Sequence, residues 1–77
     1  MTNYDILIHD ICGRMRECRK AQGLTIQAVA DRCGMKRSNL SRIEAGKNNV
    51  TIKTLCNICG ALEIDVRDLF VPKKAGK

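Results

Sequence analysis

Short runs of apolar residues at three- and four-residue spacing, separated by glycines, fill this chain from end to end. Such spacing places the apolar side chains on one face of a helix. Ile8, Ile11, Met15 and Cys18 follow it and predict one helix over residues 4–21. Gly23 supplies the left-handed stop. Thr25 suits an N-cap, because its hydroxyl can accept a first-turn amide. A second helix follows, with Val29, Ala30 and Cys33 facing inward and Gly34 at its end. Residues 36–44 form a third periodic segment, with Leu40 and Ile43 apolar and Met35 at the entry. Residues 45–49 (Ala-Gly-Lys-Asn-Asn) read as a loop. Thr51 caps a fourth helix whose buried stripe is Ile52, Leu55, Ile58, Cys59 and Leu62. Asp65, with Asp68 three residues on in capping-box spacing, opens a short fifth helix with Val66, Leu69 and Phe70 as its apolar face. Pro72 stops it. No stretch alternates apolar and polar for long, and no Asn-Gly or Asp-Gly turn is present, so strands are not expected. The expectation is an all-α fold: one compact five-helix domain over residues 1–71, with a loose basic tail over residues 72–77.

A chain of 77 residues can hold one small core and little more. Lysine and arginine number 14 against 8 aspartates and glutamates, a formal charge of +6. Such a balance points to an anionic partner, with nucleic acid foremost. The aromatics are only Tyr4 and Phe70, which argues against stacking single-stranded bases. No apolar run is long enough to span a membrane. The N-terminus carries Asp5 and Asp10 and lacks the basic leader of a secretory signal. The chain is therefore expected in the cytoplasm, with its five cysteines reduced.

Two helices joined by a tight glycine-containing turn make a helix-turn-helix. In the second of them Leu40 and Ile43 point to one side. Arg37, Ser38, Ser41 and Arg42 fall on the opposite arc, with no carboxylate among them. Arginine can form two parallel hydrogen bonds to guanine in the major groove, and serine can bond base edges or phosphate. Lys36, Lys47 and Lys53 surround this face and can meet phosphates, as can the amides of the loop and of the start of helix four. A merely solvated face is the alternative.

The stretch MRECRKAQGLTIQAVADRCGMKRSNLSRIEAGKNNVTIKTLCNICGALEIDVRDLF, residues 15–70, resembles the Cro/repressor-type (XRE) helix-turn-helix regulators. Arg19 with Gly23-Leu24-Thr25, Ala30, Gly34, Ser41-Arg42-Ile43-Glu44 with Gly46, and Leu62 carry the likeness. The loop over residues 48–53 also looks like that of the controller proteins of restriction–modification systems. The resemblance implies a repressor-type fold, dimeric operator binding and helix three as the reader. Carried over residue by residue, it implies base contacts from Lys36, Arg37, Ser38 and Arg42, with Ser41 nearby. Phosphate contacts would come from Thr25, Gln27, Lys47, Asn48, Asn49 and Lys53. It matches a structural ion pair to Arg19 and Glu44. Three positions depart from the family pattern. Ile26 replaces a phosphate-holding glutamine, so that contact is either lost or moved to Gln27. Lys36 replaces a Ser or Thr cap. Glu63 replaces a glycine, where a left-handed residue would be strained by roughly 1 kcal/mol, so a differently built turn is expected.

Cys56 and Cys59 form a Cys-x-x-Cys, but a structural zinc needs about four ligands. Cys12, Cys18, Cys33 and His9 are the other candidates. Cys18, Cys33 and Cys59 fall on core stripes, where free cysteine acts as a small hydrophobe, and no metal or other cofactor is expected. A sensor that gates DNA binding through Cys56 and Cys59 is one alternative; a protein-interaction module on the same fold is another. His9 and Cys12 lie one turn apart but lack the orienting group and pocket of a catalytic pair, so no enzyme is expected. Nor is a small-molecule ligand evident. One reading helix covers few base pairs, so double-stranded DNA should be bound by a homodimer on a near-palindromic site. Val66, Leu69, Phe70 and Val71 are the expected pairing surface, because so short a helix cannot bury all four within its own domain.

Overall fold

The computed structural model describes residues 2–47 and 49–70. Asn48, Val71 and the tail over residues 72–77 lie outside the described residues. Four α-helices follow in chain order: α1 (Asn3–Ala21), α2 (Ile26–Arg32), α3 (Arg37–Glu44) and α4 (Ile52–Leu62). The predicted fifth helix is instead a 3-10 turn over Val66–Phe70. Five residues offer too few i→i+4 pairs for an α-helix, and the tighter coil suits so short a piece. The Leu69 carbonyl is already taken by the Arg14 guanidinium. Asp65 starts this turn by accepting the amide of Arg67 at 2.9 Å. Its side chain does not accept the Asp68 amide, as its capping-box spacing suggested; that amide bonds to the Asp65 carbonyl at 2.9 Å. The Arg67 guanidinium also grips the Asp65 carboxylate and holds its pKa at about 2.

Helix starts follow the capping residues. Thr25 accepts from the Ala28 amide at 3.0 Å and Thr51 from the Thr54 amide at 3.1 Å. Thr2 and Asp5 form a reciprocal capping box at the head of α1. The four helix ends share one closure. In each, an amide bonds to a carbonyl five residues back: Leu24 to Arg19, Met35 to Ala30, Lys47 to Arg42, and Ile64 to Cys59. The left-handed residue is Gly23, Gly34 or Gly46 in the first three and Glu63, at φ 59°, in the fourth. The last turn is therefore built as in the glycine family pattern and not differently, as Glu63 had suggested. The strain is accepted because the closure satisfies two carbonyls of α4. Glu63→Gly is expected to stabilise the domain by up to about 1 kcal/mol. A thermal melt should show a rise of about 4–8 °C per kcal/mol for a domain of this size. A lower melting temperature would show that the Glu63 side chain contributes more than its backbone costs.

Met15, Val29, Leu40, Ile58, Leu62 and Leu69 are enclosed and join the helices into one core. Two apolar assignments differ from expectation. Ile52, placed on the buried stripe of α4, is 60% exposed. It is the first helical residue and precedes the turn that meets the core. Leu69, assigned to a pairing surface, is 1% exposed and closes the core of its own domain. Cys12 and Cys59 are buried, Cys18 and Cys33 half-buried, and Cys56 exposed. Burial pushes the Cys59 thiol up to about 11, and the Cys33 thiol donates to the Val29 carbonyl at 3.0 Å. Cys56 and Cys59 thus face different surroundings. Among the described residues no group of three or more His, Cys, Asp or Glu side chains gathers as a metal site would require.

Candidate nucleic-acid interface

α2, the turn at Gly34 and α3 form a helix-turn-helix unit resting on α1 and α4. Leu40, Ile43 and Glu44 turn inward, which leaves the opposite arc of α3 to solvent. Lys36, Arg37, Ser38 and Arg42 are exposed there and Ser41 is half-buried. Among the described residues, none of these five side chains makes a hydrogen bond or ion pair. Among the described residues nothing engages the donors of the two guanidiniums. Lys36 occupies the N-cap of α3 without a side-chain cap bond. Orphan first-turn amides and the positive end of the helix dipole are therefore presented beside these cations.

Lys47 and Asn49, on the loop after α3, and Lys53, at the start of α4, are exposed. Thr25 is exposed at the head of α2 and already accepts its capping amide, which leaves its hydroxyl proton to give. Ile26 is packed against the core and offers nothing to a phosphate. Gln27 stands next to it, exposed, but its amide donates to the Asp31 carboxylate at 2.8 Å. One N–H and the carbonyl oxygen remain available.

Arg19 and Glu44 pair within the domain. The Arg19 Nε donates to Glu44 Oε2 at 2.7 Å and Nη2 to Oε1 at 3.0 Å. Its Nη1 donates to the Leu24 carbonyl at 2.8 Å. One buried guanidinium thereby ties together α1, the turn after it and the end of α3. Arg16 adds a longer bond to the Glu44 carbonyl, 3.4 Å.

A second set of ties was not apparent from the sequence. Asn57 on α4 donates to the Cys33 carbonyl at 3.1 Å, and Arg32 at the end of α2 donates to the Ala61 carbonyl at 3.2 Å. Gln22 donates to the Leu62 carbonyl at 2.7 Å. The first two bonds fix the α2–α3 unit against α4, and the third ties the end of α1 to the end of α4. Their only sequence-level signal is general: carbonyls at helix ends need donors from elsewhere. Of the expected pairing residues, Phe70 is exposed, Val66 is half-buried and Leu69 is buried.

A chain with this architecture is a helix-turn-helix protein. It belongs to the HTH_3 helix-turn-helix family, which matches residues 15–69. The HTH-type transcriptional regulator DdrOP3 of Deinococcus deserti is 32% identical over 60 residues. That alignment covers 78% of this chain and 46% of the relative, so the chain spans about half the length of that protein. The crystal structure of the restriction-modification controller protein C.AhdI from Aeromonas hydrophila superposes with a TM-score of 0.76 at 34% identity. It covers 83% of this chain and 96% of that one. A mutant of a second controller protein, C.Esp1396I, gives a TM-score of 0.76 at 28% identity, covering 83% of this chain and 81% of its own. The likeness to repressor-type regulators and to controller proteins, drawn from the sequence, is met.

Proposed function

We propose that this chain is a transcriptional regulator that binds double-stranded DNA, with α3 lying in the major groove. One observation carries the reading: the outer arc of α3 combines two guanidiniums, a lysine and two hydroxyls, none bonded to another described residue and with no carboxylate among them. Arg37 and Arg42 read base edges, joined by Lys36, Ser38 and Ser41. Lys47, Asn49 and Lys53 hold phosphates on one side, and Thr25 and Gln27 at the head of α2 hold them on the other. Asn48, also expected at phosphate, lies outside the described residues. The names of the relatives point the same way: DdrOP3 is a transcriptional regulator, and C.AhdI and C.Esp1396I are controller proteins. Among the described residues no helix is long and apolar enough to cross a membrane. Two copies bind a near-palindromic site with their reading helices about one DNA turn apart, roughly 34 Å. Val66 and Phe70 are the described residues that serve the pairing surface.

The test separates reading from positioning. A preferred site is first selected from a random DNA pool. Arg37→Ala and Arg42→Ala are each expected to cost about 1–3 kcal/mol against it and to relax discrimination at one base position. Lys47→Ala should weaken all sequences about equally. A uniform loss in both arginine variants, with discrimination intact, would move Arg37 and Arg42 to the phosphates.

A further inference from the structure

The N-terminal part of α1 lies ahead of the family match, which begins at residue 15. It exposes Ile6 and Leu7, at 50% and 42%. It also carries Asp5 and Asp10, and no lysine or arginine precedes Arg14. An apolar and acidic helix end does not suit a polyanion such as DNA.

Farther along α1, Arg14, Glu17, Cys18 and Ala21 form one wall of a groove of about 310 Å³, with Ile64 and Leu69 among the residues opposite. Those four α1 positions are related as i, i+3, i+4 and i+7. That diamond is the hole into which a side chain of a neighbouring helix fits. Asn3, Leu7, Asp10, Arg14, Glu17 and Ala21 succeed one another in steps of four and three, so they line one stripe of the helix. The stripe is complementary to its own reverse. A copy laid antiparallel about a point between Asp10 and Arg14 sets Leu7 over the partner's Glu17, inside the hole. The same placement sets Asp10 opposite the partner's Arg14. Arg14 gives one N–H to the Leu69 carbonyl, and its fork retains donors for a carboxylate.

We propose that this stripe is a surface for a second copy of the chain. Leu7 of one protomer enters the groove of its partner, and Asp10 pairs with the partner's Arg14, each contact made twice about a two-fold axis. A second copy is the occupant because the two ends of the stripe differ in charge and shape and each matches the other. The groove's far wall belongs to the segment that bears Val66 and Phe70, so the surface extends the pairing face proposed above. The inference rests on that two-copy reading.

Sedimentation of the full chain at micromolar and higher concentration tests it. The unaltered protein should be a dimer. Leu7→Glu should weaken association by about tenfold or more through a desolvated charge in the groove, with the helical circular dichroism kept because Leu7 is exposed. Asp10→Arg and Arg14→Glu should each dissociate the dimer, and an equimolar mixture of the two should pair again. Re-pairing in the mixture is the result that a merely destabilised fold would not produce. A dimer that survives Leu7→Glu but falls apart with Phe70→Asp would overturn this surface and leave the two-copy reading standing. A free protein that is monomeric at every concentration, yet binds a full site far more tightly than a half-site, would do the same. Failure of the mixture to pair, where each variant alone is monomeric, would also overturn it.

Discussion

Glu44→Ala is expected to destabilise the domain by about 3–5 kcal/mol, because it leaves the Arg19 guanidinium buried without its counter-charge. Both side chains are nearly enclosed, at 10% and 5% exposure, and they meet through two bonds in a fork geometry. Arg19 cannot shed its proton to escape the penalty. It would keep only the Leu24 carbonyl. A domain of this size has a stability toward the low end of about 5–15 kcal/mol, so the variant should be largely unfolded on modest warming. The effect reports the cost of an orphaned charge, and the net worth of the pair is smaller. Replacing both residues together, as Arg19→Met with Glu44→Leu, should therefore cost much less than the sum of the two single changes. Urea unfolding of the unaltered protein, Glu44→Ala, Arg19→Met, Glu44→Leu and the double variant measures this directly. A loss below about 1 kcal/mol in Glu44→Ala, the range of an exposed pair, would mean that the pair does not anchor α3.

What the sequence disclosed and what it hid divide along physical lines. Caps and helix stops depend on a few adjacent residues, so Thr25, Thr51 and the glycines at 23, 34 and 46 were legible. The outer arc of α3 was legible too, because periodicity alone separates Leu40 and Ile43 from Arg37 and Arg42. Periodicity names a face but not what covers it. That is why Ile52 was misplaced into the core and Leu69 onto the surface. Their burial depends on where the neighbouring elements end. The Arg19–Glu44 pair spans 25 residues, and only the family likeness connected the two. The ties from Asn57 and Arg32 to helix-end carbonyls were signalled only by the general need of such carbonyls for donors, since a backbone acceptor has no residue identity. Glu63 shows the reverse case. Its identity argued against the left-handed turn, but the closing hydrogen bonds of α4 outweigh the preference of one residue.

Raising the salt concentration fourfold should weaken binding to a single half-site by about two and a half to three decades. Thr25, Gln27, Lys47, Asn49 and Lys53 are exposed and are the described residues proposed to hold phosphates. With about four to six phosphates held per protomer, log affinity should fall against log salt with a slope of about −4 to −5, near −0.9 for each contact. The slope also apportions the cations. A residue on a phosphate releases a counterion, so Lys47→Ala or Lys53→Ala should flatten the slope by about 0.9. An arginine on guanine touches a neutral base edge, so Arg42→Ala should lower affinity for the preferred site with little change in slope. A full palindromic site engages two protomers and should show about twice the slope of a half-site. These measurements need only duplexes of the two lengths and a titration at several salt concentrations. A slope near zero for the unaltered protein would remove the phosphate backbone from the interaction, and the DNA-binding reading with it.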